Sequence, residues 1–157
     1  MPYSLLRSPL SVALIFTLTA CSGVKSPRVE LQDVTLGEVT DEGFVLNFGF
    51  ALTNPNVQPL ELSRMKYDVS INGTRVYAGV RSAEATLASN TTQRLIAPAV
   101  VLFSKIGSDA VPEDVTYAFS GRVSYIEPGR LAAALFDIGL KRPSVGFRRK
   151  GEIAIGQ

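Results

Sequence analysis

Period-two alternation of large apolar positions with smaller or polar ones dominates the chain, and it is sharpest at Phe44–Leu52. There Phe44, Leu46, Phe48, Phe50 and Leu52 are large and apolar, while Val45, Asn47, Gly49 and Ala51 between them are smaller or polar. Successive strand side chains point to opposite faces, so this segment carries one continuous hydrophobic stripe and predicts a central core strand. Met65, Tyr67, Val69 and Ile71 alternate in the same way through Arg64–Ile71, and Asn72-Gly73 then precedes Thr74–Gly79. An Asn-Gly pair between two alternating runs predicts a two-residue hairpin turn. Val115–Tyr125 sets Val115, Tyr117, Phe119, Val123 and Tyr125 on one face. Weaker strand patterns lie at Val29–Leu36, Thr91–Val101, Val145–Arg148 and Glu152–Ile155.

Helical signal is confined to two short stretches. Phe103–Val111 predicts a turn-rich helix stopped by Pro112, and Arg130–Asp137 carries good helix formers. About seven strands with turn signals between them predict an all-β fold, an antiparallel sandwich of fibronectin type III or immunoglobulin-like form with one or two short helices. Neither repeats nor heptads interrupt the pattern.

The first twenty residues follow a different plan. Arg7 precedes an uncharged apolar run, Leu10–Leu18, and the small residues Thr19 and Ala20 stand before Cys21. This is the layout of a secretory signal peptide, since a run of about ten falls well short of the roughly 20 residues that span a bilayer. Leu18-Thr19-Ala20-Cys21 resembles the lipobox of bacterial lipoproteins. That resemblance implies cleavage between Ala20 and Cys21, a diacylglycerol on the Cys21 sulfur and an acyl chain (palmitate) on its new amine. Two or more chains anchor stably where one does so only marginally. The same resemblance, with Ser22 rather than Asp after the cysteine, implies sorting to the outer membrane, with the domain facing the periplasm. Three parts follow: a signal peptide over 1–20, a lipidated tether over 21–28 that reads as flexible, and the sandwich over 29–157.

Composition narrows the chemistry. The 157 residues include no His and one Cys, which removes the commonest general base, internal disulfides and multi-cysteine metal sites. Without Arg7 the chain carries 15 basic against 14 acidic residues, a balance that argues against nucleic-acid binding. No Gly-x-Gly and no phosphate-binding P-loop occur. Ser63-Arg-Met-Lys66 matches Ser-x-x-Lys, but it opens an alternating strand and lacks the partner motifs of that chemistry. Asp41-Glu42 and Glu113-Asp114 read as solvated loop charges, and the two Asn-x-Thr triplets at Asn72 and Asn90 as turns. The expectation is a non-enzyme with no catalytic, cofactor or metal residue. Lys141, Arg142, Arg148, Arg149 and Lys150 make the C-terminal part locally basic, as a solvated surface in preference to a headgroup contact.

Asn54-Pro55-Asn56 directly follows the strongest strand. Proline ends a ladder and holds its predecessor extended, while asparagine side chains bond nearby backbone, so this step reads as a structural turn. The order of features is a phenylalanine-rich strand, Thr53-Asn54-Pro55-Asn56, an Asn-Gly hairpin, Leu87–Gln93, and a later strand containing a glycine. This order resembles the group 2 late embryogenesis abundant domain, also called the water stress and hypersensitive response (WHy) domain, across Val29–Ile155. The resemblance implies a fibronectin type III-like fold, an association with desiccation and stress, and no catalytic residues. The expected role is a membrane-anchored protective or interaction module that acts on client proteins through loops and strand edges. The alternative is a carrier of a lipid or small apolar ligand, with Phe44, Phe48, Phe50, Tyr117 and Phe119 lining a cavity between the sheets.

Overall fold

The computed structural model describes residues 23–140 and 142–154. Seven strands and two short helices follow in chain order: β1 (Arg28–Val39), β2 (Gly43–Thr53), β3 (Leu60–Ile71), β4 (Thr74–Leu87), β5 (Thr92–Leu102), α1 (Phe103–Ile106), β6 (Asp114–Ile126), α2 (Arg130–Asp137) and β7 (Ser144–Ala154). They form two antiparallel sheets, β1-β2-β5 and β4-β3-β6-β7. This is the sandwich that the alternation predicts.

The alternating stripes meet between the sheets. Phe44, Leu46, Phe48, Phe50 and Leu52 of β2 are all buried, facing Met65, Tyr67, Val69 and Ile71 of β3 and Val115, Phe119 and Val123 of β6. Phe119 is the hub of the aromatic core. Its ring stacks on Phe48 at 4.5 Å and 9°, and meets Phe147 at 4.9 Å and Tyr67 at 5.8 Å. Each large apolar side chain so buried contributes about 1.5–3 kcal/mol.

Asn72-Gly73 closes the β3–β4 hairpin with φ of 49° and 84°, the paired positive angles of the primed turn that matches strand twist. The Asn72 Oδ1 also accepts from the Thr116 amide at 3.1 Å, tying the hairpin to β6.

Several boundaries differ from expectation. β4 runs to Leu87, well beyond Gly79, and the two C-terminal strand patterns are one strand, β7. α1 is a single turn, stopped by Gly107 at φ 67° rather than by Pro112. Gly23–Pro27, expected as flexible tether, is fastened to the sandwich. Lys25 is bonded to Asn56, Ser26 shares a hydrogen bond with Tyr125 (2.9 Å), and Pro27 is buried.

Strand directions put the starts of β1, β3, β5 and β7 at one end of the sandwich, with the ends of β2, β4 and β6. This end, where the chain enters β1, is the proximal pole. The Asn72-Gly73 hairpin and α1 mark the distal pole.

Candidate functional site

Asn54 is the one polar residue in the core among the described residues, with 0% exposure. It sits where the chain leaves β2 for the other sheet. Its amide Nδ2 donates to the carbonyls of Gln58 (2.8 Å), Leu87 (3.1 Å) and Ala88 (3.1 Å). Its Oδ1 accepts from both the backbone amide and the Nδ2 of Asn56, at 3.0 and 2.9 Å. Asn56 in turn accepts from the Lys25 amide at 2.8 Å and donates to the Lys25 carbonyl at 2.7 Å. Backbone bonds Asn54 N–Thr91 O and Asn90 N–Asn56 O complete the knot. Pro55 lies between the two asparagines, lacks a donor, and releases the chain from the ladder. Asn54, Pro55 and Asn56 thus join three backbone segments: the β2–β3 crossover, the β4–β5 crossover and the chain before β1. The turn reading anticipates local bonds, yet two of Asn54's acceptors lie 33 and 34 residues away.

A second feature lies on the open side of the sandwich, where edge strands β4 and β5 face each other. An open cleft of about 480 Å³ is lined by Met65, Ala83, Leu95 and Pro98, with Arg81, Arg94 and Ile96 at its margins. Arg81 Nη1 donates to the Ile96 carbonyl at 3.0 Å, and Arg94 pairs with Asp33 at 2.7 Å across the outer face. The Tyr67 hydroxyl donates to the Pro98 carbonyl at 2.6 Å, joining one sheet to the other beneath the cleft. Burial pushes the Tyr67 phenol well above its usual range, and its hydrogen bond with Tyr77 adds to the shift.

No local pattern in the sequence marks this cleft. Pro98 inside a strand pattern is the usable signal, because proline in a sheet belongs on an edge. Phe44, Phe48, Phe50 and Phe119 are core, as the alternation predicts, with Tyr117 packed against it; only the carrier alternative set them around a cavity, and their rings instead meet each other and Phe103. That correction follows from ring geometry: stacked and tilted centroids at 4.5–6.3 Å leave van der Waals contact between the rings.

Basic residues fall in two places. Arg148 and Lys150 alternate onto the outer face of the larger sheet, which also carries Arg64, Lys66 and Arg122. Arg142 lies before β7 at the proximal pole, so the basic positions of the C-terminal part do not form one patch. Ser63 falls at a register irregularity of β3, and Lys66 is exposed on the outer face. Among the described residues no group of three His, Cys, Asp or Glu side chains comes together as a metal site. Ala20 and Cys21 lie outside the described residues. Among those residues no helix is long and apolar enough to cross a membrane.

Solved structures similar to this chain share its fold. A protein from Arabidopsis thaliana, determined in solution, is 18% identical over 93% of both chains, with a TM-score of 0.63. A solution structure assigned to the late embryogenesis abundant proteins is 18% identical, with a TM-score of 0.65, over 84% of this chain and 72% of that one. A crystal structure from Archaeoglobus fulgidus gives 18% identity and a TM-score of 0.53 over 86% and 99%. The comparison with curated protein sequences gave no match. The family model described as late embryogenesis abundant protein (LEA_2) matches residues 50–141, from the core strand through the Asn54–Asn56 knot to the end of the α2 segment. With more than half of its length matched, the chain belongs to the late embryogenesis abundant protein family.

Proposed function

We propose that this protein is a non-enzymatic stress-response module of the WHy type, held at the bacterial outer membrane through acyl chains on Cys21. It protects client proteins by holding extended, partly apolar segments along the β4–β5 side of the sandwich. Family membership supports the stress role. The observation that carries the binding mode is the cleft itself, where apolar Met65, Ala83, Leu95 and Pro98 lie between β4 and β5, each an edge strand of its sheet. The Ile96 and Pro98 carbonyls already accept from Arg81 and Tyr67, so the apolar floor, which takes alternate side chains of an extended peptide, contributes more here than the β5 ladder. β7, the other edge of the larger sheet, carries Arg148, Arg149 and Lys150, and charges of that kind discourage edge pairing.

The test is protection during drying. The chain from residue 22 onward suppresses aggregation of a test enzyme dried and rehydrated beside it, whereas an inert protein of equal size does not. Ile96→Asp places a carboxylate at the cleft margin, where the native side chain is half exposed, and abolishes protection while moving stability by no more than about 0.5 kcal/mol. Equal protection by the variant and the native chain would falsify the cleft as the client site.

The cleft also favours one second reading, a carrier of a lipid or small apolar ligand. Its volume lies within the usual range of roughly 300–1,000 Å³ for small-molecule sites, and Arg81 stands at its margin for a headgroup. Organic extraction of protein purified from membranes, followed by mass spectrometry, separates the two: a stoichiometric bound molecule favours the carrier.

A further inference from the structure

The most exposed large apolar side chains among the described residues are gathered at one end of the molecule. Val57 is 82% exposed, Leu140 76%, Leu131 75% and Ile138 69%. Val57 belongs to the turn after Asn54–Asn56. The other three belong to residues 127–143, an excursion that leaves β6 after Ile126 and returns to β7 at Ser144, beside the Tyr125 amide that donates to the Pro143 carbonyl. All four therefore lie in segments of the proximal pole. Gly23, Val24 and Lys25 share a shallow groove there with Pro55, Val57 and Pro128.

The helix α2 carries apolar side chains on its outer as well as its inner side, and Ile138, its C-cap, extends the outer row. Leu131, Ala134 and Ile138 are exposed, at spacings of three and four, whereas Ala132, Ala133, Leu135 and Phe136 are half-buried. A surface helix of a globular domain normally turns its polar side to water. Cations flank the stripe: Lys25, Arg130 and Arg142 are all exposed, the last with its guanidinium 5.8 Å from the centre of the Phe136 ring. Glu127 and Asp137 are the acids of the same segment, so with Lys25 three described cations stand against two acids at this pole. An outward apolar stripe beside Lys and Arg is the composition of an interfacial helix, which lies in the plane of a membrane surface.

The position of the chain's start selects the occupant. Val24 packs against the core, and Lys25 is bonded to Asn56 on this pole. Two peptide steps separate Cys21 from Gly23 and span at most about 7 Å. Acyl chains on Cys21 therefore hold the proximal pole, and no other face, against the lipid.

We infer that the proximal pole is a membrane-docking surface: Val57, Leu131, Ile138 and Leu140 enter the interfacial zone of the bilayer, and Lys25, Arg130 and Arg142 meet anionic headgroups. This rests on the lipid-anchored reading above, and adds to it a fixed orientation. The β4–β5 cleft then opens sideways, parallel to the membrane, and the Asn72-Gly73 hairpin points away from it.

The native chain has no Trp, so a single introduced Trp reports one position. Full-length lipidated protein is reconstituted in vesicles of phosphatidylethanolamine and phosphatidylglycerol with brominated acyl chains. Flotation reads the anchor, and bromine quenching reads the contact. Leu131→Trp loses most of its emission, while Thr74→Trp at the distal pole and Ser120→Trp on the outer face of the larger sheet keep theirs. Emission from Leu131→Trp that matches Thr74→Trp, in vesicles with which the protein floats, overturns the docking and leaves the anchor standing. Quenching of Ser120→Trp in place of Leu131→Trp also overturns it, by laying the basic sheet face on the lipid. Protein that neither floats nor is quenched overturns both.

Discussion

Asn54 shows what one buried amide can hold. Its Nδ2 and Oδ1 use every hydrogen-bonding position available to them, and its partners come from both the β2–β3 and the β4–β5 crossovers. No hydrophobic residue of similar size offers both a donor and an acceptor, and aspartate offers no donor. Asn54→Ala is therefore expected to cost about 3 kcal/mol, because the Leu87 carbonyl stays buried without its partner. Asn54→Asp is expected to cost more, since its carboxylate would face three carbonyl oxygens. Urea unfolding of the two variants checks the order. The turn character of Asn54-Pro55-Asn56 is legible in the sequence through proline and its flanking asparagines, but the long-range bonds are not, because a hydrogen-bond partner 33 residues away leaves no local pattern.

At the scale of elements, legibility follows how sharply apolar and polar positions alternate. β2, β3 and the hairpin turn are plain because their inward residues are large. The second half of β4 is obscured because its half-buried positions are Ala83 and Ala85, too small to stand out from polar neighbours. β7 reads as two pieces because Arg149 and Gly151 fall between Phe147 and Ile153. The Tyr117 side chain occupies the space where a side chain on Gly151 would sit, with its hydroxyl oxygen 2.7 Å from that Cβ position.

Glycines in the larger sheet are not equivalent in the same way. A Cβ on Gly121 would collide with the Lys66 carbonyl, and would lie 2.9 Å from the Tyr67 Cα and 2.7 Å from the Phe147 ring. One on Gly146 would meet only the Gly121 carbonyl, at 3.8 Å. Gly121→Ala is expected to force β3 and β6 apart and destabilise by about 1–3 kcal/mol, as overpacking does. Gly146→Ala is expected to be neutral or stabilising by up to about 1 kcal/mol, through the restricted unfolded chain. Thermal melts of the pair decide whether close backbone approach, and not glycine as such, is what β6 requires.

For the whole molecule the joint between the sheets matters most, and Tyr67 supplies a polar part of it by donating to Pro98 across the interface. Removing that bond in Tyr67→Phe is expected to cost about 1 kcal/mol near neutral pH. The pH dependence follows from the raised phenol. Below the unfolded value of about 10 both states keep the proton and the contribution is complete. Above it the unfolded chain releases a proton that the folded chain retains, so stability falls as pH rises. Denaturant melts between pH 8 and pH 11, values chosen to bracket about 10, should show this alkaline loss in the native protein and less of it in Tyr67→Phe. The overall architecture was legible from stripes and turns. The cleft was not, since it arises where two edge strands from different sheets happen to face each other.

β7 has one further consequence. It runs away from the pole where the chain begins, and its 11 residues rise by about 3.4 Å each, roughly 35 Å in all. A fluorophore or fused reporter joined beyond Ala154 would thus ride a full strand-length above whatever holds the first residues. The spacing between a label there and a label near Gly23 makes the domain a ruler for how upright it stands.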